Sequence, residues 1–193
     1  EDVLRRIECY VFRNSTICGH VANRAEVFFA GIAKDIYDGT LDDKKSICDA
    51  INKQIVTDKE FQDSFEIYSG TRNGKETIRY ILRRIHDYLE NTTEVTLNND
   101  NVHIEHIMPE DFSQWNIDKE IHETYLWRLG NLALLDGSLN ISISNKPFDQ
   151  KKGSYQKSKI KPNNDLYNYS EWNEKSIEDR QKTLATYAVQ IWK

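Results

Sequence analysis

The amino-acid sequence predicts a mainly helical α+β fold, in which a helical N-terminal half precedes a part with two short strands and supporting helices. Three observations lead to this prediction. Apolar residues recur at helical spacing over much of 1–90. Two short runs of strand-type residues lie at 102–107 and 132–135. A last segment, 174–192, has the pattern of a terminal helix.

The N-terminal half is predicted to contain several helices joined by polar breaks. The first begins near the start of the chain and is interrupted by residues 14–19. The second covers 22–37, and the third runs from 40 to about 54. The residues from Thr57 to Glu60 fit a capping box, which indicates that a short helix starts there.

A long amphipathic helix is predicted over 75–90, because its apolar residues recur on one face. Its basic residues are most simply a solvated face, and contact with DNA is the alternative; they are Lys75, Arg79, Arg83 and Arg84. The polar segment 91–100 is predicted to be a connector. We therefore expect a helical subdomain over 1–98 and a second part over 99–193, packed as one compact unit.

The second part alternates short regular elements with irregular ones. We predict strands at 102–107 and 132–135, helices at 117–127, 147–152 and 174–192, an irregular segment at 138–146 and a loop at 161–169. Pro147 suits the first turn of its helix, where a missing backbone N–H costs nothing.

Composition indicates a soluble cytoplasmic protein without a membrane partner. The chain has 193 residues, a formal net charge of −5 and three cysteines, an odd number without a paired motif. Reduced, buried thiols are the simplest interpretation; Cys18 with His20 would be half of a structural zinc site, a weaker alternative. The chain starts at Glu1, and its one methionine is Met108. We therefore expect it to be the C-terminal part of a longer protein.

The residues with the clearest chemical potential surround the two predicted strands. Glu105 and His106 end the first strand-type run, and Asn131 and Asn140 lie on either side of the second. A histidine near neutral pKa can activate water, and a divalent cation held by oxygen ligands can neutralise a phosphate. Adjacent strand residues face opposite ways, but Pro109 bends the chain here. The pattern therefore predicts the metal-and-base core of a nuclease.

A basic segment follows this core. Six lysines and one acid lie between 146 and 161, so this segment is either a phosphate-binding patch or a solvated surface. Its composition alone does not choose between the two.

Together these motifs resemble a known nuclease family. Glu-His-Ile-x-Pro at 105–109, Gly-Asn-Leu-x-Leu-Leu at 130–135, Asn140 and Ser-Asn-Lys-Pro-Phe-x-x-Lys-Lys at 144–152 are similar to the HNH (ββα-metal) core. More narrowly, they resemble the HNH domain at the C-terminus of GmrSD-type, modification-dependent restriction enzymes. The resemblance implies a ββα-metal core and an absent N-terminal ParB/sulfiredoxin-like domain that hydrolyses nucleotides.

The resemblance also implies roles for individual residues. His106 matches the general base, and Glu105 matches the metal-binding acid, which is Asp in many HNH enzymes. Asn131 matches the middle asparagine of the catalytic motif, whose role is to tie the loop after the first strand to the second strand. Asn140 matches the last position of the motif, a metal ligand.

Three lysines are implied near the backbone phosphates of DNA: Lys146, Lys151 and Lys152. Asn145 and Asp136 remain alternatives to Asn140 as the ligand. His103 would share a strand face with Glu105 if the strand is regular, which gives it a supporting role at most.

We therefore expect a DNA endonuclease that uses Mg²⁺, Mn²⁺ or another divalent cation and serves restriction or defence against phage. The alternative is a catalytically silent DNA-binding or interaction module of the same defence system.

Overall fold

The structure, a computed structural model, describes residues 2–90 and 101–193. The mainly helical α+β class is confirmed, because helices predominate and the described strands form a small two-stranded sheet. The predicted connector at 91–100 and the boundary after residue 98 lie outside the described residues and stay predictions. The chain divides into two compact units, one of 1–65 with Ala188–Lys193 and one of Glu66–Tyr187.

The first unit is helical throughout its regular elements. These are α1 (Asp2–Tyr10), a π-helical segment (Val11–Ile17), α2 (Ala22–Tyr37), α3 (Lys44–Asn52) and most of α4 (Asp58–Ile67).

Two predicted boundaries in this unit are wrong. The helix continues through Asn14, because the buried side chain of Asn14 bonds to another part of the unit. Its Nδ2 donates to Gln54 O at 2.7 Å and its Oδ1 accepts from Val56 N at 3.1 Å. Helix α3 begins four residues later than predicted, since the carboxylate of Asp43 caps it by accepting from Ser46 N at 2.6 Å.

The second unit contains both strands and several helices. They are α5 (Lys75–Glu90), β1 (Val102–His106), α6 (Lys119–Tyr125), β2 (Leu132–Asp136), α7 (Gly137–Ile143), α8 (Phe148–Lys157), a 3₁₀ segment (Lys161–Asn168) and most of α9 (Glu174–Ile191). Strands β1 and β2 pair antiparallel, with Val102 opposite Asp136 and His106 opposite Leu132.

Helix α7 replaces most of the irregular segment that was predicted over 138–146, and residues 144–146 stay outside any helix. It forms because the carboxylate of Asp136, at the end of β2, accepts from Ser138 N at 2.9 Å and caps the helix. The strand therefore passes directly into a helix that carries Asn140. The chain order through this region is β1, α6, β2, α7.

The core of this unit lies beneath the sheet and between the helices. The predicted apolar stripe of α5 is buried at Ile78, Ile81, Leu82 and Ile85. A second cluster of buried side chains surrounds the strands and α8; it includes Ile107, Met108, Leu135, Phe148, Tyr155 and Trp172. Among the described residues, no helix is both long and apolar enough to cross a membrane.

A buried arginine holds the turn that leads into β2. The guanidinium of Arg180 donates to the carbonyl oxygens of Gly130 at 2.7 Å and Leu132 at 2.8 Å. Gly130 packs so closely on α9 that a Cβ atom there would lie 2.1 Å from Ile177 O. A side chain at position 130 would therefore displace the turn that positions Asn131.

Candidate active site

An open cavity of about 270 Å³ adjoins the end of β1. This volume has room for several water molecules or a phosphate group. The residues that line it come from α5, β1, the following loop and α7: Lys75, Arg79, His103, Ile104, His106, Glu110 and Asn140. The structure therefore brings together His106 and Asn140, which are 34 positions apart in the sequence.

Two buried polar atoms of this cavity have no hydrogen-bond partner within the described chain: His106 Nε2 and Asn140 Oδ1. A buried polar atom without a partner costs free energy, so each such atom calls for an explanation, such as a bound water, an ion or a catalytic role. The two atoms belong to residues that line the same cavity, and they are a ring nitrogen and an amide oxygen.

His106 is held in place by its strand and by an aromatic neighbour. Its ring lies edge-on to Trp127, with ring centroids 4.6 Å apart and planes at 89°. Burial lowers the pKa of His106 to about 4, while Glu110 opposes and Lys75 adds to this shift. The imidazole is therefore neutral near pH 7, the form in which a ring can accept a proton, although its pKa lies below the near-neutral value expected from the sequence.

His103 was expected to share a strand face with Glu105 if the strand is regular. It lines the cavity with His106, whereas Glu105 is absent from the lining. Its ring sits 3.1 Å from where a Cβ of Gly137 would be, at the start of α7. His103 is therefore part of the cavity lining, and the supporting role expected for it stays a prediction.

Glu105 forms a buried cluster on the other side of β1. Its Oε1 accepts from Lys151 Nζ at 2.8 Å and from the Tyr155 hydroxyl at 3.0 Å. Burial raises the pKa of Glu105, and Lys151 and Tyr155 partly offset the shift. The carboxylate expected to bind metal thus has a cationic partner already.

Lys151 belongs to this cluster and not to the surface. Its side chain is 0% exposed, and its Nζ also donates to His106 O at 3.2 Å and Ile107 O at 3.1 Å. Lys151 was expected near a DNA phosphate, but the structure places it in the interior, where it fixes the backbone at the end of β1. Local composition could not show this, because the partner of Lys151 lies 46 positions away.

The other two predicted phosphate-binding lysines lie nearer the surface. Lys146 is exposed, and its Nζ donates to Ser142 O at 2.7 Å. Lys152 is half-buried, with its Nζ 5.2 Å from the ring centroid of Tyr167. Neither lines the cavity that contains His106.

Asn131 is completely buried and ties the end of β1 to the start of β2. Its Oδ1 accepts from Met108 N at 2.8 Å and Trp172 Nε1 at 3.0 Å. Its Nδ2 donates to Met108 O at 3.0 Å and Leu126 O at 3.1 Å. These bonds suit the structural role implied for this asparagine, which is to tie the loop after β1 to β2. Asn131 itself is not part of the cavity lining.

Asn145, the alternative to Asn140, lies outside the cavity lining. Its side-chain Nδ2 donates to Asp111 Oδ2 at 3.2 Å, and its backbone carbonyl oxygen accepts from Trp115 Nε1 at 3.3 Å. Asp136, the other alternative, caps α7. Both side chains therefore have structural partners, whereas Asn140 Oδ1 has none within the described chain.

Three cavity residues were not identified as site candidates from the sequence: Lys75, Arg79 and Glu110. The first two belong to α5, whose pattern suggested a solvated basic face. Glu110 follows β1 and lies 3.3 Å from Arg72. A basic helix face has the same local sequence pattern whether it lines a site or faces solvent. These residues could therefore be found only in the folded chain.

The oxygen donors of the cavity fit a hard divalent cation. Such ions prefer carboxylate and amide oxygens and keep several water ligands. Asn140 and Glu110, whose side chains carry such oxygens, both line the cavity. Within the two described ranges, no group of three or more His, Cys, Asp or Glu side chains is placed to hold a metal ion. Asn140 is not one of these four residue types, so a set of ligands that includes Asn140 is not a group of that kind.

Comparison with known proteins identifies the family. No curated protein sequence matches the chain significantly. The family model described as "GmrSD restriction endonucleases, C-terminal domain" matches residues 55–187, well over half of the chain, and confirms the resemblance drawn from the motifs. The matched region includes the whole cavity lining. The chain therefore belongs to the family of GmrSD restriction endonuclease C-terminal domains.

Proposed function

We propose that this chain is a metal-dependent DNA endonuclease domain of the HNH type and the effector part of a restriction or anti-phage defence protein. The observation that carries the proposal is the pair of buried, unpartnered atoms, His106 Nε2 and Asn140 Oδ1, in one open cavity. Family membership and the succession of two antiparallel strands and a helix support it. A separate N-terminal domain that hydrolyses a nucleotide would select the DNA.

His106 would act as the general base. The neutral Nε2 accepts a proton from a water molecule, and the resulting hydroxide attacks the phosphorus. A bond from the water oxygen to phosphorus forms while the bond to the 3′ oxygen breaks. A bound Mg²⁺ or Mn²⁺ would supply charge stabilisation to the phosphate and the leaving oxygen. Lys151 holds the carbonyl of His106 and so fixes the base at the strand end.

Replacing His106 with alanine is expected to lower the cleavage rate by about 10²–10⁴-fold, the usual contribution of a general base. The assay is nicking of supercoiled plasmid by the full chain with Mg²⁺ or Mn²⁺. His20→Ala is the control, because His20 lies in the other unit and pairs with Glu60 at 3.6 Å. Cleavage that survives in His106→Ala would show that another group is the base.

Asn140, and not Glu105, is proposed as the protein ligand of the cation. Glu105 does not line the cavity, and its Oε1 already accepts from Lys151 and Tyr155. Asn140→Ala is therefore expected to weaken Mn²⁺ binding about 10-fold or more, whereas Glu105→Gln leaves it nearly unchanged.

The measurement is a titration of bound Mn²⁺ by electron paramagnetic resonance at a temperature where circular dichroism shows each variant folded. Asn145→Ala serves as the matched asparagine control. Strong loss of Mn²⁺ binding in Glu105→Gln together with normal binding in Asn140→Ala would return the ligand role to Glu105.

A second candidate function is a catalytically silent DNA-binding module. The engagement of Glu105 with Lys151 favours it, since the expected metal-binding acid does not line the cavity. DNA binding by the wild-type chain without cleavage under any divalent cation would select this function over the nuclease.

A further inference from the structure

We propose that Lys75 and Arg79 of α5 form the phosphate-binding wall of the site and hold the phosphodiester of DNA against His106. The inference rests on the proposed nucleic-acid function and names the contact through which the substrate is positioned.

The two cations occupy one face of one helix. Lys75 is the first residue of α5 and Arg79 lies four positions later, a spacing that puts both side chains on the same side. Both line the cavity that contains His106 and Asn140. Helix α5 has 16 residues, so the partial positive charge at its first turn adds to the charge of Lys75.

The contacts of the two side chains differ in a way that suits this role. Arg79 Nη1 donates to Val102 O at 2.6 Å, which fixes the guanidinium to the start of β1. Lys75 has no carboxylate partner among the described residues, and its ammonium is available to an anion. Arg79 thus supplies a fixed positive charge and Lys75 a mobile one.

The charge balance of the cavity favours an anion. Its one carboxylate within the described lining, Glu110, lies 3.3 Å from Arg72. Arg79 Nε lies 3.7 Å from the exposed carboxylate of Glu76, so Lys75 is the lining cation that has no carboxylate partner within the described residues. The lysines beyond the strands cannot supply this charge, because Lys151 is buried against Glu105 and the other two lie outside the cavity. A phosphodiester carries the matching negative charge and fits beside the nitrogen of His106.

The test measures duplex DNA binding in a His106→Ala background, which prevents cleavage, over a series of salt concentrations. Lys75→Gln is expected to weaken binding and to reduce the slope of log K against log salt by about 0.9, the value for one phosphate contact. Lys75→Arg is expected to keep the slope. Lys182→Gln is the control, since Lys182 lies on α9 outside the cavity and pairs with Asp179 at 4.0 Å.

Cleavage by the full chain provides a second measurement. With His106 intact, Lys75→Gln is expected to lower kcat/KM about 10-fold, and Lys75→Arg to restore most of it. An unchanged salt slope and unchanged kcat/KM in Lys75→Gln would overturn the inference. If the slope changes but the wild-type chain cleaves nothing with any metal, the phosphate contact stands and the nuclease proposal fails.

Discussion

Replacing Lys151 with methionine is expected to lower the free energy of unfolding by about 3–5 kcal/mol, the usual cost of removing one partner from a buried ion pair. Methionine has a similar volume but no charge, so Glu105 would keep a buried carboxylate with only the Tyr155 hydroxyl as a partner. The carbonyl oxygens of His106 and Ile107 would also lose their donor. Denaturation by urea, followed by circular dichroism, measures the loss.

The matched control is the double variant Glu105→Gln with Lys151→Met. It removes both charges, and we expect it to be more stable than Lys151→Met alone. A double variant as unstable as the sum of the single variants would show that packing, and not the charge pair, causes the loss.

The effect of Lys151→Met should also depend on pH. Burial already raises the pKa of Glu105, and removal of Lys151 takes away a group that lowers it. A carboxyl group with a raised pKa binds its proton more tightly in the folded state. The destabilisation should therefore shrink as the pH falls towards protonation of Glu105, and be largest as the pH rises above the raised pKa. Equal loss at every pH would contradict this origin.

Replacing Asn131 with alanine is expected to cost at least about 3 kcal/mol, because four buried partners would be left unsatisfied. The side chain bonds to the N–H and the carbonyl of Met108, to Leu126 O and to Trp172 Nε1. Thermal unfolding of Asn131→Ala beside Asn145→Ala measures the difference. Asn145 is the control because its side chain makes a single bond at the surface, to Asp111.

Loss of the Asn131 side chain should also lower cleavage in the protein that remains folded, since the loop after β1 would be tied to residue 131 only through backbone bonds. Ile107 N donates to Asn131 O at 2.9 Å next to His106. A variant that unfolds no more easily than Asn145→Ala would show that the four bonds contribute little.

Several parts of the fold could be predicted from sequence because local pattern decides them. The apolar stripe of α5 is buried as its spacing requires. The two strand-type runs pair with each other as an antiparallel sheet. The helix over 138–143 was missed because Ser and Asn favour turns as well as caps, and the cap of α7 comes from Asp136.

The candidate site was predicted only in part, because a local pattern does not show which residues the fold brings together. His106, Asn131 and Asn140 were chosen from motif spacing, and their placements in the cavity or behind it suit the roles proposed for them. The surroundings of Lys75 and Lys151 are the reverse of those expected from the sequence. One was taken for a solvated cation and lines the cavity, and the other was taken for a phosphate contact and is buried.

The sequence by itself therefore determined the family, the mainly helical class and the identity of the proposed base, because these depend on motifs and short-range periodicity. Only the tertiary structure decided which charges face the cavity and which neutralise each other inside. Glu105 and Lys151 meet across 46 positions, and Lys75 lines the same cavity as His106 from a helix that precedes β1. The burial of a charge depends on partners brought together by folding, and no local sequence pattern shows which distant residues will meet.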